Sequence, residues 1–252
     1  MRPTVGVIVL LLGCSGRTAE SVRDTAAIPS EVTQVQPLAR GNYLGTFTIA
    51  NAGYGAYLRV RDSISAFYDG LRWIRICELT QNDAAISFRT APMFERVFVF
   101  RGTAQGPELS GRIKGLGDSV AVVFHRLDDK NPSELYGREK NGFYSDLRYI
   151  EEAGDNVGEE LFVGSISGHR TVALMVAEGA AGLPQIGLNL QESKDTIRFE
   201  TGRDTALRTT AVFRDSGVVL SIPYDDGPPP RLKKLFSLQG FYDQPAVGEC
   251  HP

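Results

Sequence analysis

The residues of this chain with the greatest capacity for metal or redox chemistry are three cysteines and three histidines. Metal sites built from these residue types usually have two ligands separated by about two to five residues in the sequence. No pair here has such a spacing, so we predict no metal site and no cofactor. The six residues are Cys14, Cys77, Cys250, His125, His169 and His251.

The motifs of common enzyme chemistries are not found in the sequence either. The segment Gly164-Ser165-Ile166-Ser167-Gly168 has isoleucine where a nucleophile turn, Gly-x-Ser-x-Gly, has its serine. The acidic pairs fall in predicted loops, where solvated charge is the default interpretation, and residues 155–159 are the nearest approach to a calcium loop. We predict no catalytic residue, while a triad assembled from distant strands stays open as an alternative.

The beginning of the chain has the pattern of an export signal. Arg2 precedes an apolar run from Val5 to Leu12, and small residues follow the run. This run is far shorter than the ~20 apolar residues that a membrane-spanning helix needs. Residues 1–13 are therefore predicted to be a signal peptide.

The segment Leu11-Leu12-Gly13-Cys14 resembles the lipobox of bacterial lipoproteins, which has a branched apolar residue three before the cysteine and a small residue directly before it. The resemblance implies cleavage before Cys14, attachment of a diacylglycerol to its thiol and acylation of the freed amine. Two or three acyl chains hold a protein stably at a membrane, at ~0.8 kcal/mol per buried CH₂. A lipid-anchored location in the cell envelope follows, and Ser15 after the cysteine favours the outer membrane. The alternative is an ordinary secretory signal that contains a cysteine.

Lipidation of Cys14 would leave Cys77 and Cys250 to form a disulfide in an oxidising compartment. Such a bond would join the C-terminal tail to the strand predicted around Trp73. Two unpaired thiols are the alternative, and the sequence does not separate the two.

The composition is that of a globular chain with a sizeable core, with 42% hydrophobic and 23% charged residues. The formal net charge is −3, and the adjacent Lys233 and Lys234 fall on opposite faces of a predicted strand. Proteins that bind a phosphate backbone carry a continuous basic surface. Nucleic acid is therefore not an expected partner.

From Tyr43 onward apolar and polar residues alternate, which is typical of β-strands. The segments 119–126, 185–191 and 196–200 each place apolar side chains on one face, and turn sequences separate them. Only the stretch 133–154 is compatible with a helix. The sequence predicts an all-β fold of antiparallel strands, as small barrels or sandwiches, after a lipidated flexible tether at 14–41.

The two halves of the chain resemble each other at a nearly constant interval. Residues 86–90 (Ile-Ser-Phe-Arg-Thr) match residues 197–201 (Ile-Arg-Phe-Glu-Thr), and Val99-Phe100-Arg101 matches Val212-Phe213-Arg214. We predict a duplication with a first β unit at 42–127, a charged connector at 128–160 and a second β unit with a C-terminal tail at 161–252. Convergence of β-meanders on one pattern is the alternative.

The first unit contains, in order, Tyr43-Leu44-Gly45, Leu71-Arg72-Trp73, Leu109-Ser110-Gly111 and Phe124-His125-Arg126. In this order it is similar to small β modules attached to secreted bacterial hydrolases. The resemblance covers about a third of the chain and implies a β fold, with little about function.

Aromatic residues are concentrated in the first unit, and exposed rings on concave β surfaces often stack on sugars or apolar ligands. Tyr54, which stands between two glycines in a predicted turn, and the strand residues Tyr57 and Trp73 are the candidates for ligand contact. Packing within the strands is the alternative.

Together these features predict a membrane-anchored envelope lipoprotein without enzymatic activity, whose β units bind an envelope protein, a glycan or a lipid, or brace a complex. One alternative is an envelope hydrolase with an unmarked active site. Another is a lipocalin-like carrier of an apolar ligand, which needs a hollow barrel. An interior filled by Phe98, Phe100 and Phe124 would argue against the carrier.

Overall fold

The computed structural model describes residues 40–49, 52–70, 72–93, 96–115, 119–128, 140–151, 155–179, 183–201, 207–215, 217–223 and 227–250. The predicted signal peptide and nearly all of the predicted tether lie outside these residues. The first strands are β1 (Gly41–Ile49), β2 (Ala52–Val60), β3 (Ala66–Tyr68), β4 (Trp73–Asn82), β5 (Ala85–Thr90), β6 (Val99–Gln105), β7 (Glu108–Lys114), β8 (Val120–Arg126), β9 (Gly142–Ser145) and β10 (Arg148–Ile150). They are followed by β11 (Asp155–Ile166), β12 (His169–Gly179), β13 (Gln185–Ile186), β14 (Leu188–Ser193), β15 (Thr196–Thr201), β16 (Leu207–Arg214), β17 (Gly217–Ser221), β18 (Arg231–Phe236), the short helix α1 (Leu238–Tyr242) and β19 (Ala246–Val247). The fold is all-β, as predicted.

Strands β1 to β8 form a closed antiparallel barrel. Each strand pairs with the next along the chain. The last strand pairs back with the first, with Tyr43 opposite Arg126 and Phe47 opposite Val122. Closure pairs most of the strand edges within the barrel, and the free parts of β2 and β4 are paired with β13 and β19 instead. We call this body the N-terminal barrel.

Period-two alternation fills the interior of the N-terminal barrel. In β8, Val122 and Phe124 are buried, while Ala121 on the opposite face of the strand is exposed. The rings pack on one another, with centroids 5.1 Å apart between Phe88 and Phe100 and 5.6 Å apart between Phe100 and Phe124. Phe98 joins the same core and is 4% exposed. Ring side chains therefore occupy the space that a carrier would keep for its ligand.

A second succession of antiparallel pairings leads from β11 through β12 to the bent strand formed by β13 and β14, and from there through β15, β16 and β17 to β18. It returns to β11 through β9. β13 and β14 are separated only by Gly187, whose N–H donates to the Val172 carbonyl at 3.0 Å. A Cβ on Gly187 would lie 2.3 Å from Val172 Cγ2, so only glycine permits this approach. We call this set of strands the C-terminal ring.

The stretch 128–160 is more than the charged connector that we predict from the sequence. It contains β9, which completes the C-terminal ring, β10, and the first half of β11. All four residues of β9 are buried, including Phe143 at 4% and Tyr144 at 3% exposure. Among the described residues of 133–154 none is helical. A short strand that is covered on both faces shows no alternation of polar and apolar residues. The sequence pattern therefore does not distinguish β9 from the charged residues around it.

A third apolar core lies between the barrel and the ring. Backbone pairing contributes to this junction, because Gln185 of β13 lies opposite Tyr54 of β2. Its rings are close, with centroids 4.9 Å apart between Tyr57 and Phe162. Such pairs add ~0.5–1.5 kcal/mol each beyond the area they bury. The buried members of this junction core are Leu44, Tyr57, Ala66, Trp73, Leu127, Phe143, Phe162, Ala173, Phe241 and Tyr242.

Helix α1, near the C-terminus, packs against the junction core. Trp73 Nε1 donates to the Phe241 carbonyl at 2.9 Å, and the Tyr242 hydroxyl donates to the Tyr43 carbonyl at 2.8 Å. The guanidinium of Arg59 donates to the Tyr242 carbonyl at 2.5 Å and lies 5.3 Å from the Trp73 ring centroid. Buried hydrogen bonds of this kind fix a single arrangement, because each unpaired group would carry its full desolvation penalty. Helix α1 is thus an integral part of the junction core.

Candidate functional site

The two cysteines left unassigned by the predicted lipidation meet in the structure. Cys77 in β4 and Cys250 form a disulfide, with their Cα atoms 5.3 Å apart. Next to it, β19 pairs in parallel with the start of β4. The C-terminal tail is thereby attached to the N-terminal barrel. Cys14 lies outside the described residues.

The three aromatic residues predicted to contact a ligand have different surroundings. Tyr57 and Trp73 are each 2% exposed and belong to the junction core, so neither ring is open to a ligand. The packing alternative therefore applies to both. Tyr54 lies within β2 and not in the predicted turn, is half-buried and stacks on Phe47, with ring centroids 5.8 Å apart. The sequence does not predict the burial of these rings, because no local pattern shows that the C-terminal ring covers β2.

A buried carboxyl group faces the junction. Alternation in β11 places Glu160 on the outer face of the C-terminal ring, where the N-terminal barrel covers it, so it is only 8% exposed. The hydroxyl of Ser145 on β9 donates to Glu160 Oε1 at 3.3 Å. Burial raises the pKa of Glu160 to about 7, and the hydrogen bond from Ser145 opposes this shift only in part. The group therefore exchanges its proton near neutral pH.

The space beside Glu160 is small. It has a volume of about 10 Å³, which suffices for about one water molecule. Carboxyl groups with shifted pKa values are enriched at active sites, but an active site must also admit its substrate. This cavity admits none, so the geometry favours a buried proton site over a catalytic one. Its lining consists of Tyr57, Tyr68, Gly70, Phe143, Glu160, Met175 and Pro184.

A second buried polar group holds the start of β9. Lys140 is completely buried, and its ammonium donates to Glu192 Oε1 at 2.8 Å and to the Ser193 carbonyl at 2.6 Å. Arg170 donates to the same carboxylate at 3.1 and 3.2 Å. Burial alone would raise the pKa of Glu192, but the hydrogen bonds from Arg170 and Lys140 hold it below its ordinary value. The network is an internal tie between β9, β12 and β14.

The histidines do not assemble a reactive site among the described residues. His125 Nδ1 lies 3.0 Å from Glu108 Oε1 on the neighbouring strand β7, and His169 is the exposed first residue of β12. His251 lies outside the described residues. Within the described part of the chain, no group of three His, Cys, Asp or Glu side chains is placed to hold a metal ion.

An open groove of about 580 Å³ runs along the outer face of β16, β17 and β18. Exposed Arg214, Arg231 and Lys233 line it together with the backbone of Gly217 and the side chain of Val219. As predicted, the adjacent lysines separate, since Lys234 turns inward and lies 5.7 Å from the Tyr144 ring centroid. Period-two alternation in the sequence places Arg231 and Lys233 together on the outer face of β18. The position of Arg214 beside them depends on the pairing of the strands, which the sequence pattern does not show.

In the described ranges, no helix is long and apolar enough to cross a bilayer. Comparisons with profiles of known protein families, with curated proteins and with solved structures give no match to this chain.

Proposed function

We propose that this protein is a lipid-anchored, non-enzymatic binding protein of the bacterial cell envelope, held at the outer rather than the inner membrane. The binding role is carried by one observation, the open basic groove on the outer face of β16 to β18. The filled N-terminal barrel and the disulfide make the body a rigid support for that surface. Candidate partners are an envelope protein, a glycan or a lipid.

The anchor is supported by the lipobox resemblance at Leu11-Leu12-Gly13-Cys14. Mass spectrometry of the mature polypeptide tests it, with diacylglycerol on Cys14 as the expected result. Cys14→Ser is the matched control and should stay in its unlipidated form. A mature N-terminus beyond residue 14 in the unchanged chain would contradict the anchor.

The groove is tested by comparing two double variants that remove the same charge. Arg214→Gln with Lys233→Gln changes the groove, while Arg101→Gln with Lys114→Gln removes two exposed cations from the N-terminal barrel. Binding is measured against panels of anionic and neutral glycans and lipids. We expect the groove variant alone to lose binding. Equal behaviour of the two variants would contradict a role of the groove.

We also propose that the two halves arose by duplication, as the repeated sequence blocks predict. The hairpins at Asn82–Ala85 and Ser193–Thr196 occupy the same place in the two successions of pairings. The residues after them, Ile86 and Phe88 in one half and Ile197 and Phe199 in the other, all point inward and are buried. The halves differ at one place. Two strands of the first half, β3 and β4, correspond to a single bent strand of the second half, which is formed by β13 and β14. The duplication would be contradicted if residues 86–90 and 197–201 do not overlay when the two halves are superposed.

A hydrolase is the second candidate function, and the pKa of Glu160 is the observation that favours it. Its test is a broad esterase, glycosidase and peptidase screen of the wild type and of Glu160→Gln. Turnover lost in that variant would support the hydrolase. The water-sized cavity leads us to expect no turnover in either protein.

A further inference from the structure

The groove on the C-terminal ring is built by strand pairing around a residue without a side chain. Arg214 on β16 lies opposite Gly217 on β17, which in turn lies opposite Lys233 on β18. With strands about 4.8 Å apart, the two cationic residues start roughly 10 Å from each other across the glycine. A Cβ on Gly217 would lie 2.0 Å from the Leu232 carbonyl oxygen, so no side chain can fill this floor. The floor therefore stays open between two cations.

The next row of the same face adds a third cation and apolar surface. Val219 lies opposite Arg231, and Val212 lies on its other side. Leu235, which stands beyond the groove where the pairing of β18 with β9 is irregular, is 50% exposed. Cations are thus flanked by apolar side chains, which is the composition that suits the boundary between lipid headgroups and acyl chains.

The charges of the three groove cations are not neutralised by ion pairs among the described residues. Within the described residues, none of Arg214, Arg231 and Lys233 has an ion pair. By contrast, the buried Lys140 and Arg170 are bound to Glu192. The nearest acidic residue in the sequence is Asp215 in the β16–β17 turn, which has an interaction of its own. The groove therefore presents positive charge to an external anion, although the whole chain carries −3.

We propose that this groove binds the phosphate groups of an anionic lipid surface, so that the outer face of β16 to β18 lies against a membrane. The inference rests on the proposed function, which places the body beside a membrane. Each basic residue near an anionic membrane surface strengthens binding by roughly fivefold, and the effect falls off within a Debye length. Removing two of the cations should therefore weaken vesicle binding about 30-fold at low salt.

The test uses the full-length chain with Cys14→Ser, which cannot be lipidated. Its binding is measured by sedimentation with vesicles of phosphatidylcholine alone and of equal parts phosphatidylcholine and phosphatidylglycerol. The apolar run Val5–Leu12 is common to all variants, so the difference between the two vesicle types isolates the charge effect. We expect stronger binding to the anionic vesicles, a loss of about 30-fold in Arg214→Gln with Lys233→Gln, and weaker binding at high salt.

The control double variant Arg101→Gln with Lys114→Gln should bind the anionic vesicles as the wild type does. Unchanged fluorescence of Trp73 shows that each variant is folded. Equal losses in both double variants, or equal binding to both vesicle types, would overturn the inference. So would saturable binding of inorganic phosphate without vesicle binding, because the groove would then serve a soluble anion. Mass spectrometry tests the lipid anchor separately. A failure of the anchor therefore does not change the interpretation of the vesicle experiment.

Discussion

Replacing Glu160 with glutamine removes a proton that the junction exchanges near neutral pH, at nearly constant side-chain shape. In the folded protein burial raises the pKa of this carboxyl to about 7, against 4.5 for an unperturbed glutamate. The folded state therefore binds the proton more tightly than the unfolded state. Stability from this group is fully present below pH 4.5 and is lost as the pH rises to about 7.

The interval between these two pKa values corresponds to roughly 3 kcal/mol, which is the free energy of unfolding that the wild type loses over this range. Glu160→Gln stays neutral at every pH, so it does not undergo this loss. We expect the variant to match the wild type near pH 4.5 and to be more stable above pH 7, by up to roughly 3 kcal/mol.

The assay is urea unfolding at a series of pH values, followed by the fluorescence of Trp73. This residue is the only tryptophan, and it lies in the same junction core as Tyr57 and Phe143, which line the cavity beside Glu160. Glu151→Gln removes an exposed carboxyl near the start of β11 and is the matched control. A difference between Glu160→Gln and the wild type that does not change with pH would refute the reasoning.

Further predictions concern the other internal ties. Reduction of the disulfide should lower the free energy of unfolding by up to about 5 kcal/mol, because the bond closes a loop of 173 residues, and urea midpoints with and without reductant measure it. Phe241→Ala should cost roughly 3–5 kcal/mol and shift the emission of Trp73 to longer wavelength, since water gains access to the junction. In urea unfolding, Glu192→Gln should cost roughly 3–5 kcal/mol because it leaves two cations without their anion, whereas Lys140→Met, which leaves the carboxylate with Arg170, should cost about 1–3 kcal/mol.

These predictions have their own controls. A chain with both Cys77→Ser and Cys250→Ser should not respond to reductant, and a response would show that another thiol is involved. Leu235→Ala, on the exposed face of β18, should leave the emission of Trp73 unchanged. A larger loss in Lys140→Met than in Glu192→Gln would contradict the charge argument.

The strands were predictable because their signal is local. Ile197 and Phe199 alternate with polar residues and point inward, and Val122 and Phe124 share the inward face of β8. The same argument places Leu188 inward, yet that side chain is 56% exposed. Asn189 has a φ of 52°, and the pairing register shifts between Leu188 and Gln191. A bulge of this kind turns the side chains that precede it, and no period reveals it.

The candidate sites depend on contacts that the sequence does not encode locally. Period two assigns Glu160 to the outer face of its strand, but its burial requires that β2 and β3 cover that face. The partners Cys77 and Cys250 are 173 residues apart, so the sequence left both the bond and free thiols open. The row of Arg231 and Lys233 follows from alternation, whereas Arg214 joins it only through the β16–β17 hairpin.

The bond between Cys77 and Cys250 also determines what a protease can achieve. Any single cut between these residues, including one in the segment that links the barrel to the ring, opens a loop without producing a second molecule. For the anchored protein that we propose, such a nick would leave the whole body on the cell. Shedding by one cut would require cleavage on the N-terminal side of Cys77, and a nicked chain would migrate as one band until a reductant is added.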